Sequence, residues 1–410
     1  LNSENRHPGR ITATRAPTVV SGKVELRVLG TSVTLQEHLR RQAEQDLGIK
    51  LCFLVHDSAF VQREGVMHPE RYDIYDQWFH SLDCLWPAHA LQPIELDRIK
   101  RWSEINTLPR TGSLAGRRTA TEGSVPADRL YVQPDNSLGR AVSNRISMLP
   151  LTHNADSFVY LVDALPRRLI EQEESWSWLL APELAGRVAL QADPAIGAID
   201  AALAVQACNL AKFADIGNLT IEEIDQLINI LIEYRQSGHF AGFWSNFEEA
   251  VQLMMRKNVA IQSIWSPATL ELERAGLRFQ MACPREGYRA WFGGLALSRQ
   301  IDGRVRDAAY DYLNWWLDGW AGAMMARQGV YITNPERARQ YMNEHEWAYW
   351  YNGKPVAAHL PEPVGQLRNI SGPQRDGGNY AKRMSHIAVW DSVMDEHNYL
   401  VRRWNEFLKA

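Results

Sequence analysis

The chain has little cysteine for its length, four residues in 410. None of Cys52, Cys84, Cys208 and Cys283 stands in a CxxC pair or at zinc-ligand spacing, so a disulfide scaffold and a structural zinc site are both excluded. Cys52 lies in a predicted strand and Cys84 just beyond the next, which leaves a disulfide within one lobe and two buried thiols as open alternatives. No apolar run reaches the ~18 to 20 residues needed to cross a bilayer, so no membrane insertion is expected. There is no excess of positive charge: 44 Lys and Arg stand against 48 Asp and Glu, a net charge of -4. A nucleic-acid partner would call for a basic patch that this balance does not supply. Catalytic signatures are missing too. There is no GxSxG elbow, no HExxH, no phosphate loop, and no GxGxxG after the first strand, which runs on into GTSVTLQ. No cofactor is implied.

What is present is an ordinary globular composition, 45% hydrophobic and 22% charged, in a chain long enough for two domains. The first 23 residues, LNSENRHPGRITATRAPTVVSGK, form a polar, basic tail beginning at Leu1, and a targeting peptide removed ahead of them is expected. From Lys23 the pattern turns regular. VELRVLG reads as a strand, LQEHLRRQAEQDLG as an amphipathic helix closed by Gly48, and IKLCFLVHD as a second strand. RYDIYDQW starts a third, and a loop rich in Pro, Arg, Gly and Ser follows from Leu108 to Pro126. The alternation resumes with two strand-like runs around a turn in NRISMLPLTHNADSFVYLVDAL. RVALQ is then a strand, and the helix PAIGAIDAALAVQAC opens on Pro194 behind the N-cap Asp193. TIEEIDQLINILIEYRQ carries a capping box, Thr220 with Glu223. Strands alternating with helices of this length specify sheets covered by helices on both faces, with ligands held outside the carboxyl ends of the strands.

Candidate binding residues fall at those strand ends. Thr31 and Ser32 follow the first strand, Asp76, Gln77 and Trp78 the third, Asp193 a later one, and Trp265 and Ser266 the strand VAIQSI. The segment PREGYRAWFGGLAL, Pro284 to Leu297, combines a turn, an Arg between aromatics and a Gly pair. Tyr288, Trp291 and Phe292 offer flat walls, Arg289 a fork for a carboxylate, and Gly293 and Gly294 close approach. Two clusters with a chemical look are weaker. His345 between Glu344 and Glu346 suits a solvated helix face, and His68, Glu70, Asp73 and Asp76 lack the spacing of one metal-binding face. Aromatic walls with a few charges and no nucleophile describe binding rather than turnover.

In EGYRAWFGGLALS, SWSWLLAPELAGRVALQADP, VAIQSIW and HIAVWDSVMDEHNYLVRRWNEFLKA, the chain resembles the periplasmic solute-binding proteins of ABC importers, in their spermidine/putrescine-type branch. The resemblance runs from about Lys23 to the C-terminus and is poorest in the loop 108–126. It implies a type II periplasmic binding protein fold, in which two α/β lobes, each a mainly parallel sheet flanked by helices, are joined by a two-strand hinge. Lobe 1 would comprise 24–153 and 291–332, and lobe 2 154–290 and 333–410. The implied protein is a monomer that is not an enzyme, is located in the periplasm, and has a small-molecule solute and ABC permease subunits as partners.

By position, the implied pocket falls on Gly30 and Thr31, Trp78, His80, Asp193, Trp265, and Trp291 with Gly293. Gly293 stands where the branch has a second carboxylate and Ile196 replaces another, while Arg289 adds positive charge. The expected solute is therefore a carboxylate-bearing molecule, such as an amino acid, an aminobutyrate-like compound, a hydroxy acid or an opine, held by Arg289, in preference to a polyamine. Two other classes stay open: a two-lobe enzyme with Asp193 and His345 as acid and base, and a sensor domain using the same cleft.

Overall fold

Two mixed sheets organise the chain, each containing parallel strands that the helix-strand alternation brings side by side. The computed structural model describes residues 19–20, 22–256, 258–365, 367–368 and 374–410, so residues 1–18 of the expected N-terminal tail lie outside the described residues. In the first lobe, β1 (Lys23–Gly30) pairs in parallel with β2 (Lys50–Val55) and β3 (Ile74–Trp78). The helix α1 (Glu37–Leu47) links the first two and stops at Gly48, which takes the left-handed conformation at φ 66°.

The two runs expected around a turn do not fold back. β4 (Leu149–Asp156) lies in the first sheet and β5 (Phe158–Leu161) in the second, with only Ser157 between them, so this stretch is a crossing from lobe to lobe. The return crossing is β10 (Tyr288–Ser298), eleven residues all buried, which pairs antiparallel with β3 and β4. Every position of that strand meets protein on both faces, so it is buried throughout instead of alternating, with Arg289 the single charge in it.

The second lobe holds β5, β6 (Val188–Gln191), β7 (Phe240–Trp244), β8 (Ile261–Ser263) and β9 (Phe279–Met281), in the order β7-β6-β8-β5-β9. Alternation along β6 divides its side chains between two cores. Val188 and Leu190 join one with α2 (Pro194–Ala207) and α3 (Ile221–Gln236), and Ala189 joins another with Val251 and Met254. Asp193 caps α2 by accepting from Ala195 N at 2.9 Å, and Thr220 and Glu223 form the expected capping box on α3.

A third strand accompanies the two crossings. β11 (Ile387–Trp390) runs parallel to the start of β10, with Tyr288 opposite Ile387, and delivers the chain to α4 (His397–Lys409) on the second lobe. Ile387 and Trp390 pack in the first core and Val389 in the second. The described residues of 333–365 and 374–385, assigned to lobe 2 from sequence, supply Tyr349, Trp350, Leu360 and Met384 to the first core instead. Behind the crossing strands, Arg383 donates to the carbonyl of Ala155 and to Asp376, which also accepts from Tyr288 Oη at 2.9 Å. All four cysteines are free, so the Cys52–Cys84 alternative resolves to thiols.

Candidate functional site

Between the lobes, at the carboxyl ends of β3 and β8 and beside the crossing strands, lies a narrow space of ≈ 10 Å³ lined by Val33, Trp78, Ile196, Trp265, Trp291 and Asp391, with Pro267 at its edge. Three of the eight residues expected to contact a solute, Trp78, Trp265 and Trp291, meet there. Trp78 and Trp291 belong to paired strands of the first sheet and touch edge to face, with ring centroids 4.8 Å apart. Trp265 comes from the other lobe and is held edge-on by Trp244 and Phe247. Each polar edge is fixed from behind, since Trp78 Nε1 donates to Ser58 Oγ at 3.1 Å and Trp291 Nε1 to Asp156 Oδ2 at 2.6 Å.

Asp193 is half-buried at the cap of the helix that presents Ile196. Burial, and secondarily the facing Asp57 of lobe 1, push its carboxyl up to about 6, against the opposing effects of the Ala195 amide and Arg289. Thr31 is buried, and its carbonyl accepts from Leu35 N at 3.1 Å in the turn after β1, where Val33 rather than Thr31 faces the space. His80 is also buried, and burial with nearby Arg129 holds it down to about 3, so it is neutral.

Gly293 serves packing. It sits directly opposite Trp78 in the ladder, and a Cβ there would lie 2.7 Å from Thr152 Oγ1 and 3.4 Å from the Trp78 ring. Thr152 Oγ1 occupies the volume that a Cβ at 293 would need, and the indole of Trp78 lies at contact distance beside it.

Arg289 corrects the sequence expectation most. It is fully buried, and its Nε donates to Asp200 Oδ1 at 2.6 Å while Nη1 donates to both oxygens of Asp391 at 3.2 and 3.1 Å. Two of the three nitrogens of the fork assigned to a solute carboxylate, Nε and Nη1, are therefore committed to aspartates of the protein, and Nη2 has no hydrogen-bond partner among the described residues. Burial alone would lower the guanidinium's proton affinity, but Asp200, Asp391 and Asp156 outweigh it and raise it. Burial also raises both partners, Asp200 to about 6 and Asp391 to about 7, because one guanidinium is shared among several carboxylates. In all, Asp156, Asp193, Asp200 and Asp391 lie within electrostatic reach of Arg289. Arg383, which also faces Asp156, is paired with Asp376.

Three of these acids escaped sequence reasoning. Asp391 follows β11 just as Asp193 follows β6, and the same strand-end rule would have found it. Asp200 is the single charge in the apolar helix PAIGAIDAALAVQA, a position that needs a buried partner. Asp156 ends the first crossing strand and ties the lobes together by accepting from Ser266 N and Oγ at 3.3 and 2.7 Å.

The other chemical-looking clusters lie elsewhere. Asp73 is engaged by Arg27, and His68 Nδ1 is 3.2 Å from Glu70. His345 is exposed on the helix Glu344–Trp350 of the first lobe, away from the cap that Asp193 makes in the second.

Residues 120–350 match the family model described as bacterial extracellular solute-binding protein. The chain belongs to that family. Solved structures similar to it share the two-lobe type II periplasmic binding protein fold. One is the Tp0655 (TpPotD) lipoprotein of Treponema pallidum, 12% identical, covering 94% of this chain and 100% of that one at a TM-score of 0.65. Another is the spermidine/putrescine ABC transporter substrate-binding protein PotD of Streptococcus pneumoniae, 14% identical, with 94% and 99% covered and a TM-score of 0.60. The third is the binding protein MotA of A. tumefaciens B6 in complex with glucopine, 14% identical, with 94% and 99% covered and a TM-score of 0.59. No curated protein matches the chain.

Proposed function

We propose that this solute-binding protein is the receptor of an ABC importer, acting outside the cytoplasmic membrane, and that it captures a small solute bearing an ammonium group between its lobes. One observation carries the reading: a tryptophan-walled space is lined by Asp391, which shares the guanidinium of Arg289 with Asp200, Asp156 and Asp193. Indole faces attract ammonium ions through the ring quadrupole, and uncompensated carboxylates supply the countercharge. Polyamines belong to this solute class, and so do amino-acid-like zwitterions. The names of the similar proteins, among them a spermidine/putrescine binder and a glucopine complex, fall within it. A second reading, a zwitterion with its carboxylate on Arg289, is favoured by one further observation. Arg289 Nη2 is buried and has no hydrogen-bond partner among the described residues.

Titration calorimetry with putrescine and with 4-aminobutyrate tests both. An ammonium binds the ionised carboxylates, so affinity is full above the values of about 7 and about 6 for Asp391 and Asp193 and is lost as the pH falls through them. Each carboxylate that must ionise costs roughly tenfold per pH unit below its value, so binding at pH 8 should weaken at least tenfold by pH 5.5. Asp193→Asn keeps a competent helix cap while removing the charge, and should weaken binding at pH 8. Affinity indifferent to both pH and Asp193→Asn would refute the ammonium reading. Consumption of the solute would refute a receptor. Preference for 4-aminobutyrate over putrescine selects the zwitterion.

A further inference from the structure

At ≈ 10 Å³ the tryptophan space has room for about one water molecule, far less than the ~300 to 1,000 Å³ usual for a small-molecule site. Pro267 lines both it and a second, larger space of ≈ 520 Å³ towards solvent, also set between the lobes. Trp265 of the inner space packs edge-on against Phe247 of the outer one, with centroids 5.2 Å apart. The two spaces are thus neighbours, separated by Pro267 and the Trp265–Phe247 pair.

The lining of that chamber differs in kind. Its walls include Phe247 and Val251, and its polar groups are rich in carboxamides: Gln36 and Gln328 from the first lobe, Gln252 from the second. Gln36 and Gln328 exchange two hydrogen bonds, at 2.7 and 3.0 Å, which fixes their amides in place while leaving lone pairs and an N–H unused. Gln252 is exposed, and its carboxamide makes no hydrogen bond with any described residue. Charge in the chamber is mostly cancelled, because Arg274 pairs with Glu271 and with Glu362; Glu248 stands without a partner among the described residues. Carboxamides both donate and accept, the combination that hydroxyl groups require.

We infer that the outer chamber is a second subsite that recognises a neutral, hydroxylated tail, so that the solute is bipartite, with its ammonium head among the tryptophans and a polyol-like tail between Gln36, Gln328 and Gln252. This rests on the ammonium reading of the inner space. Calorimetry at pH 8 with three six-carbon probes tests it: n-hexylamine, 1-amino-1-deoxyglucitol and glucitol. The aminoglucitol should bind at least tenfold more tightly than hexylamine. Gln252→Leu, a change on an exposed helix face that leaves folding undisturbed, should remove most of that advantage and leave hexylamine unchanged.

Equal binding of the two amines, or equal weakening of both by Gln252→Leu, overturns the subsite while leaving the ammonium reading standing. Tighter binding of 1,6-diaminohexane than of the aminoglucitol also overturns it, by placing a second ammonium near Glu248. If glucitol alone binds and loses its affinity in Gln252→Leu, the subsite stands and the ammonium reading falls. If no probe binds, both fall.

Discussion

A buried arginine tells little about a ligand until its own partners are known, and Arg289 shows why. Its position among aromatics in a crossing strand was legible, as were Trp78, Trp265 and Trp291, because large aromatics at strand ends have few places to go other than a core or a cleft. Its pairing was not legible, because Asp200 and Asp391 lie 89 and 102 residues away and reach it only through the packing of α2 and the third crossing. Arg289→Ala should therefore act first on stability. Removing one member of a buried ion network leaves charges unpaired at a cost of about 3 to 5 kcal/mol. The sign with pH follows from the raised carboxyls: their folded values lie above the usual 3.8, so the destabilising charge is present above those values and is relieved as the pH falls through them. Urea denaturation should find the variant weakest at pH 8, with its deficit shrinking towards pH 5. A deficit of less than 1 kcal/mol at pH 8 would return Arg289 to the role of a free carboxylate fork.

Among the elements, the helices with strong end signals were read correctly. Pro194 behind Asp193 and the Thr220–Glu223 box mark real N-termini because capping is local chemistry. β7 and β11 went unread: FAGFW is interrupted by Gly242, IAVW is only four residues long, and neither shows clean alternation. Crossing strands are harder still, since nothing local separates two strands joined by a turn from two strands in different lobes. Gly293 belongs to this scale, because its meaning depends on the ladder that sets Trp78 opposite it. Gly293→Asp would restore the acid that the resemblance leads one to expect, yet should not strengthen cation binding. The new Cβ would meet Thr152 Oγ1 at 2.7 Å, with the Trp78 ring already at contact distance, an overpacking that costs about 1 to 3 kcal/mol. A lowered Tm, altered tryptophan fluorescence and weaker putrescine binding are expected together; tighter binding would show that Thr152 yields the space at little cost.

For the molecule as a whole, what decides capture is how much of the closed form is held by the protein itself. Two contacts far apart in sequence bridge the lobes on either side of the cleft. The loop 108–126, whose sequence fits the family least, packs its ends into the first lobe and sends Glu122 across, where its carboxylate accepts from Ile216 N at 3.1 Å. Gly123 and Gly217 allow that approach, since a Cβ on Gly217 would lie 2.3 Å from Gly123 Cα. Beyond the outer chamber, Glu362 of the segment 333–365, anchored on the first core, pairs with Arg274 of the second lobe. A hydrogen bond of this kind contributes about 0.5 to 1.5 kcal/mol and a partly exposed ion pair up to about 1 kcal/mol. Together they bias closure by roughly a factor of ten, enough to matter where open and closed states differ by a few kcal/mol. The double variant Glu122→Ala, Arg274→Ala should then open the solute-free protein, raising its radius of gyration in X-ray scattering, and weaken solute binding about tenfold while urea stability of each lobe changes by less than about 1 kcal/mol. An unchanged radius of gyration with unchanged affinity would mean that the tryptophans, the solute and the three crossing strands govern closure without these bridges.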